Sequence, residues 1–445
     1  MLKRGERGRE TVRLGAEDLN TGGKPAAQSN VVKAQLGVIL ILAAVYFLQA
    51  ATPFRLHPDT IVLFSVAETA AHGGGFLYRG KPTVYPPGYP ALLAILIRLN
   101  LAHVWVIVGI NIIFLTIGLL AVRHIFESKL FSEQFVLGVC ILSLLSFIFI
   151  IYSAIPLTDT LFFGVSMCCL AVMNKLASSH FSLRRVIVSV VLVTASVCVR
   201  RIGIALIPAL LYMLIVQSDL RLYIMRLSVR MKAAAILVAA SVGVAVAWVV
   251  RTTSTLRDFN NAPRGQTAID SLLGILTFRL KELGEIVLNV PSGALPPIVQ
   301  DILPFIGALA FALVFGGIVS RRKQFGVVEA YVISYVAVIL VWPFYDPRFW
   351  LPVIPFLIAY SGLSLRRLMQ RESVARQIVR GYVLMFVVIG LVTLASNTTM
   401  SLSGSRFADV YPEYHSTYCA AWHCKEGFDA AKVDADGLHL LRSYK

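Results

Sequence analysis

The sequence predicts an all-α polytopic membrane protein of about 11 transmembrane helices, with a long first extracytoplasmic loop carrying interfacial helices. Three observations carry that prediction. The 445 residues are 57% hydrophobic and only 15% charged, whereas about a quarter of a soluble domain is charged, so there is too little polar surface to wrap a water-soluble body. Mean hydropathy is +0.75, and the apolar residues come in blocks rather than at amphipathic spacing. The 41 Lys and Arg, against 24 Asp and Glu for a net charge of +17, fall in bursts between those blocks. Such a balance points to nucleic acid only when it clusters on a soluble face, so no nucleic-acid partner is expected. Disordered, collagen-like and disulfide-scaffold classes are excluded by the same composition.

A hydrocarbon core takes roughly 17–25 residues of helix, because lipid tolerates no unsatisfied backbone. The blocks at 34–51, 104–123, 134–152, 157–176, 184–200, 202–217, 232–251, 298–319, 326–344, 349–365 and 380–397 read as spans. The first is too long for a signal-peptide core, and only Ala50-Ala51 offers a weak cleavage site, so it reads as a retained anchor. Residues 1–33 hold seven Lys and Arg and read as a basic cytoplasmic tail. With that tail inside, the cytoplasmic segments collect 24 of the 41 basic residues, while the short outer turns 152–157, 200–201 and 344–349 hold 0, 2 and 1. Fusing 184–217 into one span would turn Arg321-Arg322-Lys323 and the basic run 366–380 outward, so it reads as two spans parted at Arg200-Arg201. The organisation is then tail 1–33, transmembrane body 34–397 with outer loops 52–103 and 252–297, and an extracytoplasmic C-terminal tail 398–445.

Loop 52–103 holds Asp59, Gly73 to Gly75 and Pro86-Pro87-Gly88-Tyr89-Pro90, and its apolar stretch 91–97 is too short to cross, which predicts an interfacial helix. Loop 252–297 places Ile269, Leu272, Leu273, Leu276, Leu280, Leu283, Ile286 and Val287 in a helical stripe, with Asp270, Lys281, Glu282 and Glu285 off it. This predicts a surface-lying amphipathic helix. Cys140, Cys168, Cys169 and Cys198 fall in spans as small apolar fillers. Cys419 and Cys424 alone face the oxidising side, where a local disulfide is expected; zinc is the weaker reading, since only His415 and His423 lie near and match no standard spacing.

Charges at a membrane boundary are costly and tend to be functional. Four clusters sit at the outer boundary: Asp59 with Glu68, Asp159, Arg200-Arg201, and Asp346-Pro347-Arg348. Each has a plainer reading. Asp59 follows Pro58 where a helix cap belongs, and Asp159 heads a span where the dipole favours an anion. Arg200 and Arg201 could snorkel, Arg348 could serve only Asp346, and Glu68 fits the polar face of a loop helix. His57 and His72 read as interfacial polar residues rather than metal ligands.

Asp59, the glycine run and Tyr85-Pro86-Pro87-Gly88-Tyr89-Pro90, then Pro156-Leu157-Thr158-Asp159, Arg200-Arg201-Ile202-Gly203 and Trp342-Pro343-Phe344-Tyr345-Asp346-Pro347-Arg348, together resemble the GT-C class of integral-membrane glycosyltransferases. That class includes protein O-mannosyltransferases and lipid A aminoarabinose transferases. The resemblance spans roughly residues 34–365, and each motif alone is short. It implies sugar transfer on the extracytoplasmic face of a bacterial cytoplasmic (inner) membrane. The donor would be a polyprenyl-phosphate sugar and the acceptor a glycan, lipid or protein. Asp59 would be the general base of a single displacement and Asp159 would orient the substrates. Arg200, Arg201, Arg348 and Lys81 would hold the donor phosphate. Burial beside lipid would raise the Asp59 pKa. No cofactor is implied, and a divalent metal is left open. The sequence departs from the class where Thr60 replaces a second acidic residue, where no large soluble domain follows the spans, and in the cysteine-bearing tail. A transporter or lipid flippase, which would place charges and broken helices near mid-membrane, and a surface-polysaccharide polymerase or ligase are the alternative readings.

Overall fold

A computed structural model describes residues 25–128, 131–177, 182–216, 268–342, 344–422, 424 and 428–444. The span expected at 232–251 and residues 1–24 of the tail 1–33 lie outside them. The described chain is helical throughout except for a two-stranded hairpin, β1 (Leu77–Tyr78) and β2 (Lys81–Pro82). Its helices are α1 (Pro25–Leu48), α2 (Pro58–Ala71), α3 (Gly88–Arg98), α4 (Val104–Ser128), α5 (Glu133–Leu144), α6 (Phe147–Ser153), α7 (Thr158–Ala177), α8 (Leu183–Val199) and α9 (Leu206–Val216). After the undescribed stretch come α10 (Ala268–Leu288), α11 (Pro297–Ser320), α12 (Val327–Leu340), α13 (Ile354–Arg371) and α14 (Ser373–Ser401), then the short α15 (Phe407–Val410), α16 (His415–Trp422) and α17 (Ala435–Ser443).

This is an integral membrane protein. Among the described residues six helices are long and apolar enough to cross a bilayer, and a seventh crossing results if α5 and α6, bent by 56°, form one span. Large apolar side chains stand exposed along them, such as Leu40 (70%), Phe305 (75%) and Leu384 (65%), which suits a lipid-facing surface. The expected spans 184–200, 202–217 and 326–344 are helices of 17, 11 and 14 residues. By length, then, the described residues do not reach eleven crossings.

The α5–α6 break frees backbone groups that lipid could not satisfy. Asn289, fully buried just after α10, supplies them: its Oδ1 accepts the Phe147 N–H at 2.7 Å and its Nδ2 donates to the Leu145 carbonyl at 2.8 Å.

Helix α10 buries Leu283 and Ile286 of its expected apolar stripe, but it does not turn its charged residues outward. Leu273 and Phe278 are exposed, while Arg279, Glu282 and Glu285 are buried at 0–1% exposure. The helix packs along α11 instead of lying apart on a surface.

The C-terminal tail is not a loose appendage either. The buried Tyr418 hydroxyl donates to the Phe54 carbonyl at 2.8 Å and accepts the Leu56 N–H at 2.7 Å. Arg55, at 1% exposure, reaches Asn397 Oδ1 at 2.6 Å and Ser401 Oγ at 2.7 Å. Tyr444 and His439 both hold Glu68 of α2, at 2.8 and 3.0 Å. Cys419 and Cys424 are joined in a disulfide within this tail.

Candidate active site

Asp59 is the second residue of α2. Pro58 occupies the first helical position, where its missing N–H costs nothing. The cap itself is His57, whose Nδ1 accepts the Asp59 backbone N–H at 3.2 Å. The Asp59 carboxylate is therefore left for other work: Oδ1 accepts the Tyr85 hydroxyl and Oδ2 pairs with Arg348 Nη2.

Arg348 enters from a 3-10 segment, Pro347–Val353, capped by Asp346, whose Oδ1 accepts the Arg348 N–H at 3.0 Å. Asp346 Oδ2 also lies 2.6 Å from Arg348 Nε. One guanidinium thus bridges two carboxylates, from α2 and from the segment before α13, using the planar fork that a lysine lacks.

A second ion pair stands beside the first. Arg200 pairs with Asp159 Oδ1, and Asp159 is only 1% exposed at the head of α7. The other Asp159 oxygen, Oδ2, is buried and accepts no hydrogen bond from the described residues. Phe349 touches both pairs. The Arg200 and Arg348 guanidinium carbons lie 5.1 and 5.6 Å from its ring centroid, so one aromatic ring meets both cations.

Two glycines permit this assembly. A Cβ on Gly88 would come within 2.7 Å of the Cys198 carbonyl, so only glycine lets the Pro86-Pro87-Gly88 turn rest on the end of α8. A Cβ on Gly203 would meet the Ser196 backbone at 2.7 Å, where the chain folds back through a 3-10 turn after Arg200. Arg200 is therefore presented between α8 and α9, and Arg201 turns to the Val84 carbonyl beside Tyr85.

Of the residues singled out in the sequence, Asp59, Asp159, Arg200, Arg348 and Asp346 meet in one cluster. Arg201 stands at its rim. Lys81 is exposed on β2, and no contact joins it to Asp59, so the structure does not bring it in.

Burial alone would raise the Asp59 pKa, as the sequence led us to expect. The Arg348 charge and the hydrogen bonds from Tyr85 and Arg348 more than offset it, holding the carboxyl below its usual range. Asp346 moves the other way: burial lifts it, and Arg348 only partly compensates.

The sequence reading missed the support beneath Arg348. Glu282 accepts the Asp346 N–H at 2.6 Å and the Trp350 Nε1–H at 2.8 Å, and chelates Arg279 at 2.5 and 2.6 Å. Arg279 in turn donates to the Trp342 carbonyl at 2.9 Å and to the Phe344 carbonyl. This fully buried pair on α10 clamps both sides of the Asp346–Arg348 segment. Burial pushes the Glu282 carboxyl up to about 7 despite Arg279 and its hydrogen bonds. The overlooked signal is Arg279 itself, three residues after Leu276 and four before Leu283, a charge on the predicted apolar stripe.

Among the described residues no group of three or more His, Cys, Asp and Glu is arranged to hold a metal ion.

No family model matches this chain, and no curated protein matches it either. Among solved structures it is similar to ArnT from Cupriavidus metallidurans bound to undecaprenyl phosphate, at 13% identity over 85% of this chain and 80% of that one, with a TM-score of 0.48. It is also similar to the archaeal oligosaccharyltransferase AglB from Archaeoglobus fulgidus in complex with an inhibitory peptide and a dolichol-phosphate, at 11% identity over 89% of this chain and 61% of that one, with a TM-score of 0.45. At values this low the functional reading rests on the side chains.

Proposed function

We propose that this chain is a membrane glycosyltransferase that moves a sugar from a polyprenyl-phosphate donor to an acceptor hydroxyl on the extracytoplasmic face. The observation that carries the reading is the bridge from Asp59 through Arg348 to Asp346, set beside the Arg200–Asp159 pair. A carboxylate for proton transfer and two guanidiniums for a phosphate stand in one partly buried cluster.

The resting pairs give the reaction an order. An incoming donor phosphate competes with Asp59 for Arg348 and with Asp159 for Arg200. As Arg348 turns to the phosphate, Asp59 loses the charge that holds its pKa down and becomes a stronger base. The acceptor oxygen then bonds to the anomeric carbon while its proton passes to Asp59. The carbon–oxygen bond to phosphate breaks, and its electron pair stays on the phosphate, stabilised by Arg348 and Arg200. One displacement of this kind inverts the anomeric centre. Asp159, whose buried Oδ2 has no hydrogen-bond partner among the described residues, orients the acceptor or the sugar, and Arg201 extends the cationic rim.

The charges stand at the ends of α2 and α7 and in the turns after α8 and before α13, a placement that favours chemistry at one face over a carrier's mid-membrane site. Purified Asp59→Asn, with helix content unchanged, should lose consumption of polyprenyl-phosphate sugars altogether. Full turnover in that variant removes Asp59 from the mechanism. Absence of donor turnover in the unaltered protein, with labelled solute uptake into vesicles, would establish the carrier instead.

A further inference from the structure

We infer that the end of the molecule opposite the Asp59 centre holds a built site for an anionic diacyl phospholipid, separate from any sugar donor. Two cavities meet there. One, of about 440 Å³, runs between α5, α10, α11, α13 and α14 and is lined almost wholly by apolar side chains, among them Leu142, Val314, Leu357 and Phe386. The other, of about 810 Å³, lies over the turn between α11 and α12 and is lined by Arg321, Arg322, Lys323, Gln324 and Arg366. Both volumes fall in the range of ligand pockets, roughly 300–1,000 Å³. Arg366 lines both, so the apolar trough adjoins the cationic cup.

The position follows from the chain path. Helix α12 separates the Arg321–Gln324 turn from the Trp342–Arg348 segment, and α13 leads from beside Arg348 to Arg366 and beyond. Arg348 and Arg366 stand near opposite ends of the apolar stretch Pro347–Arg366: at 1.5 Å per residue Ile354 to Arg366 rises about 18 Å, and the 3-10 segment from Arg348 adds about 12 Å. The cup is therefore a membrane thickness away from Asp59 and cannot belong to that site.

The chemistry selects the occupant. A phosphodiester headgroup matches Arg322, Lys323 and Arg366, which are all exposed, and no acidic residue lines either cavity. The nearby Glu329 is buried, its carboxylate bonded to the Gly326 N–H and the Tyr360 hydroxyl at 2.8 Å each. Hydrocarbon chains match the trough. A soluble anion would leave the trough unfilled, and a zwitterionic lipid would bring its own cation into the cup. Basic pockets between helices take anionic headgroups for these reasons.

The full-length protein in detergent, titrated with phosphatidylglycerol and separately with phosphatidylcholine, tests this by native mass spectrometry. Phosphatidylglycerol should be retained selectively. The triple variant Arg322→Gln, Lys323→Gln, Arg366→Gln should weaken retention about fivefold per cation, or roughly a hundredfold in all. Gly138→Leu should weaken it as well, because a Cβ there meets only Gln35, at 4.0 Å, and the longer side chain fills the trough. Equal retention of both lipids by the unaltered protein overturns the inference whether or not the variants fold, since it marks bulk solvation. Displacement by inorganic phosphate together with indifference to Gly138→Leu also overturns it, in favour of a soluble-anion pocket. None of these readouts depends on sugar transfer.

Discussion

Arg200 and Asp159 are opposite charges buried against each other, and each is tolerable only because of the other. Arg200→Ala would strand the Asp159 carboxylate, already short of one partner at Oδ2, and should destabilise the fold by roughly 3–5 kcal/mol. The double variant with Asp159→Ala should recover much of that loss, and thermal unfolding of the three proteins measures it. The acid–base signs of Asp59 and Glu282 differ. In the substrate-free protein Asp59 sits below its usual range. If it is the base, kcat/KM should show no acid limb from it until the pH falls below about 4. Glu282 is raised from 4.5 to about 7, so between those values the native state binds a proton that the unfolded chain releases. Stability should therefore fall as pH rises through that window and level off above it. Glu282→Gln should flatten this part of a Tm-against-pH curve, and an unchanged slope would dismiss the assignment.

At the level of single elements, the sequence reached some features and not others. The break at Arg200 was legible because fusing 184–217 would have reversed the basic turns beyond it, and the chain does leave the helix there. The grouping of Asp59, Asp159, Arg200 and Arg348 was legible as a shared membrane face, although which cation meets which carboxylate was not. Pairing depends on loop geometry: Lys81 was the weaker candidate beside Arg348, and a hairpin leaves Lys81 outside while a capped 3-10 turn delivers Arg348. In α10 the burial of Leu283 and Ile286 was legible, but that of Glu282 and Glu285 was not, because the leucines were counted and Arg279 was left out. The clamp that α10 makes has a measurable consequence. Removing the Glu282 charge should lower kcat more than it raises KM, since Glu282 holds the backbone of Asp346 rather than any substrate. A pure KM effect would place Glu282 in binding instead.

The molecule as a whole is closed by contacts between segments far apart in the chain, and these were the least legible. Nothing in the composition of the tail predicted that Tyr418 would serve two backbone groups 362 and 364 residues away. Tyr418→Phe leaves the Leu56 N–H and the Phe54 carbonyl buried without that partner, and should cost roughly 2 kcal/mol or more. The loss should appear as earlier proteolysis of the first loop. Reducing the Cys419–Cys424 bond should act in the same direction, because it loosens the segment that presents Tyr418.

That closure bears on how the protein is made. Phe54 and Leu56 leave the ribosome hundreds of residues before Tyr418, and Glu68 leaves it well before Tyr444. The helix bearing Asp59 therefore waits, without its final brace, until residues 418–444 have been made and have packed against it. A nascent chain halted before residue 418 would hold every charged group of the candidate site and still lack the seat that steadies Asp59's helix.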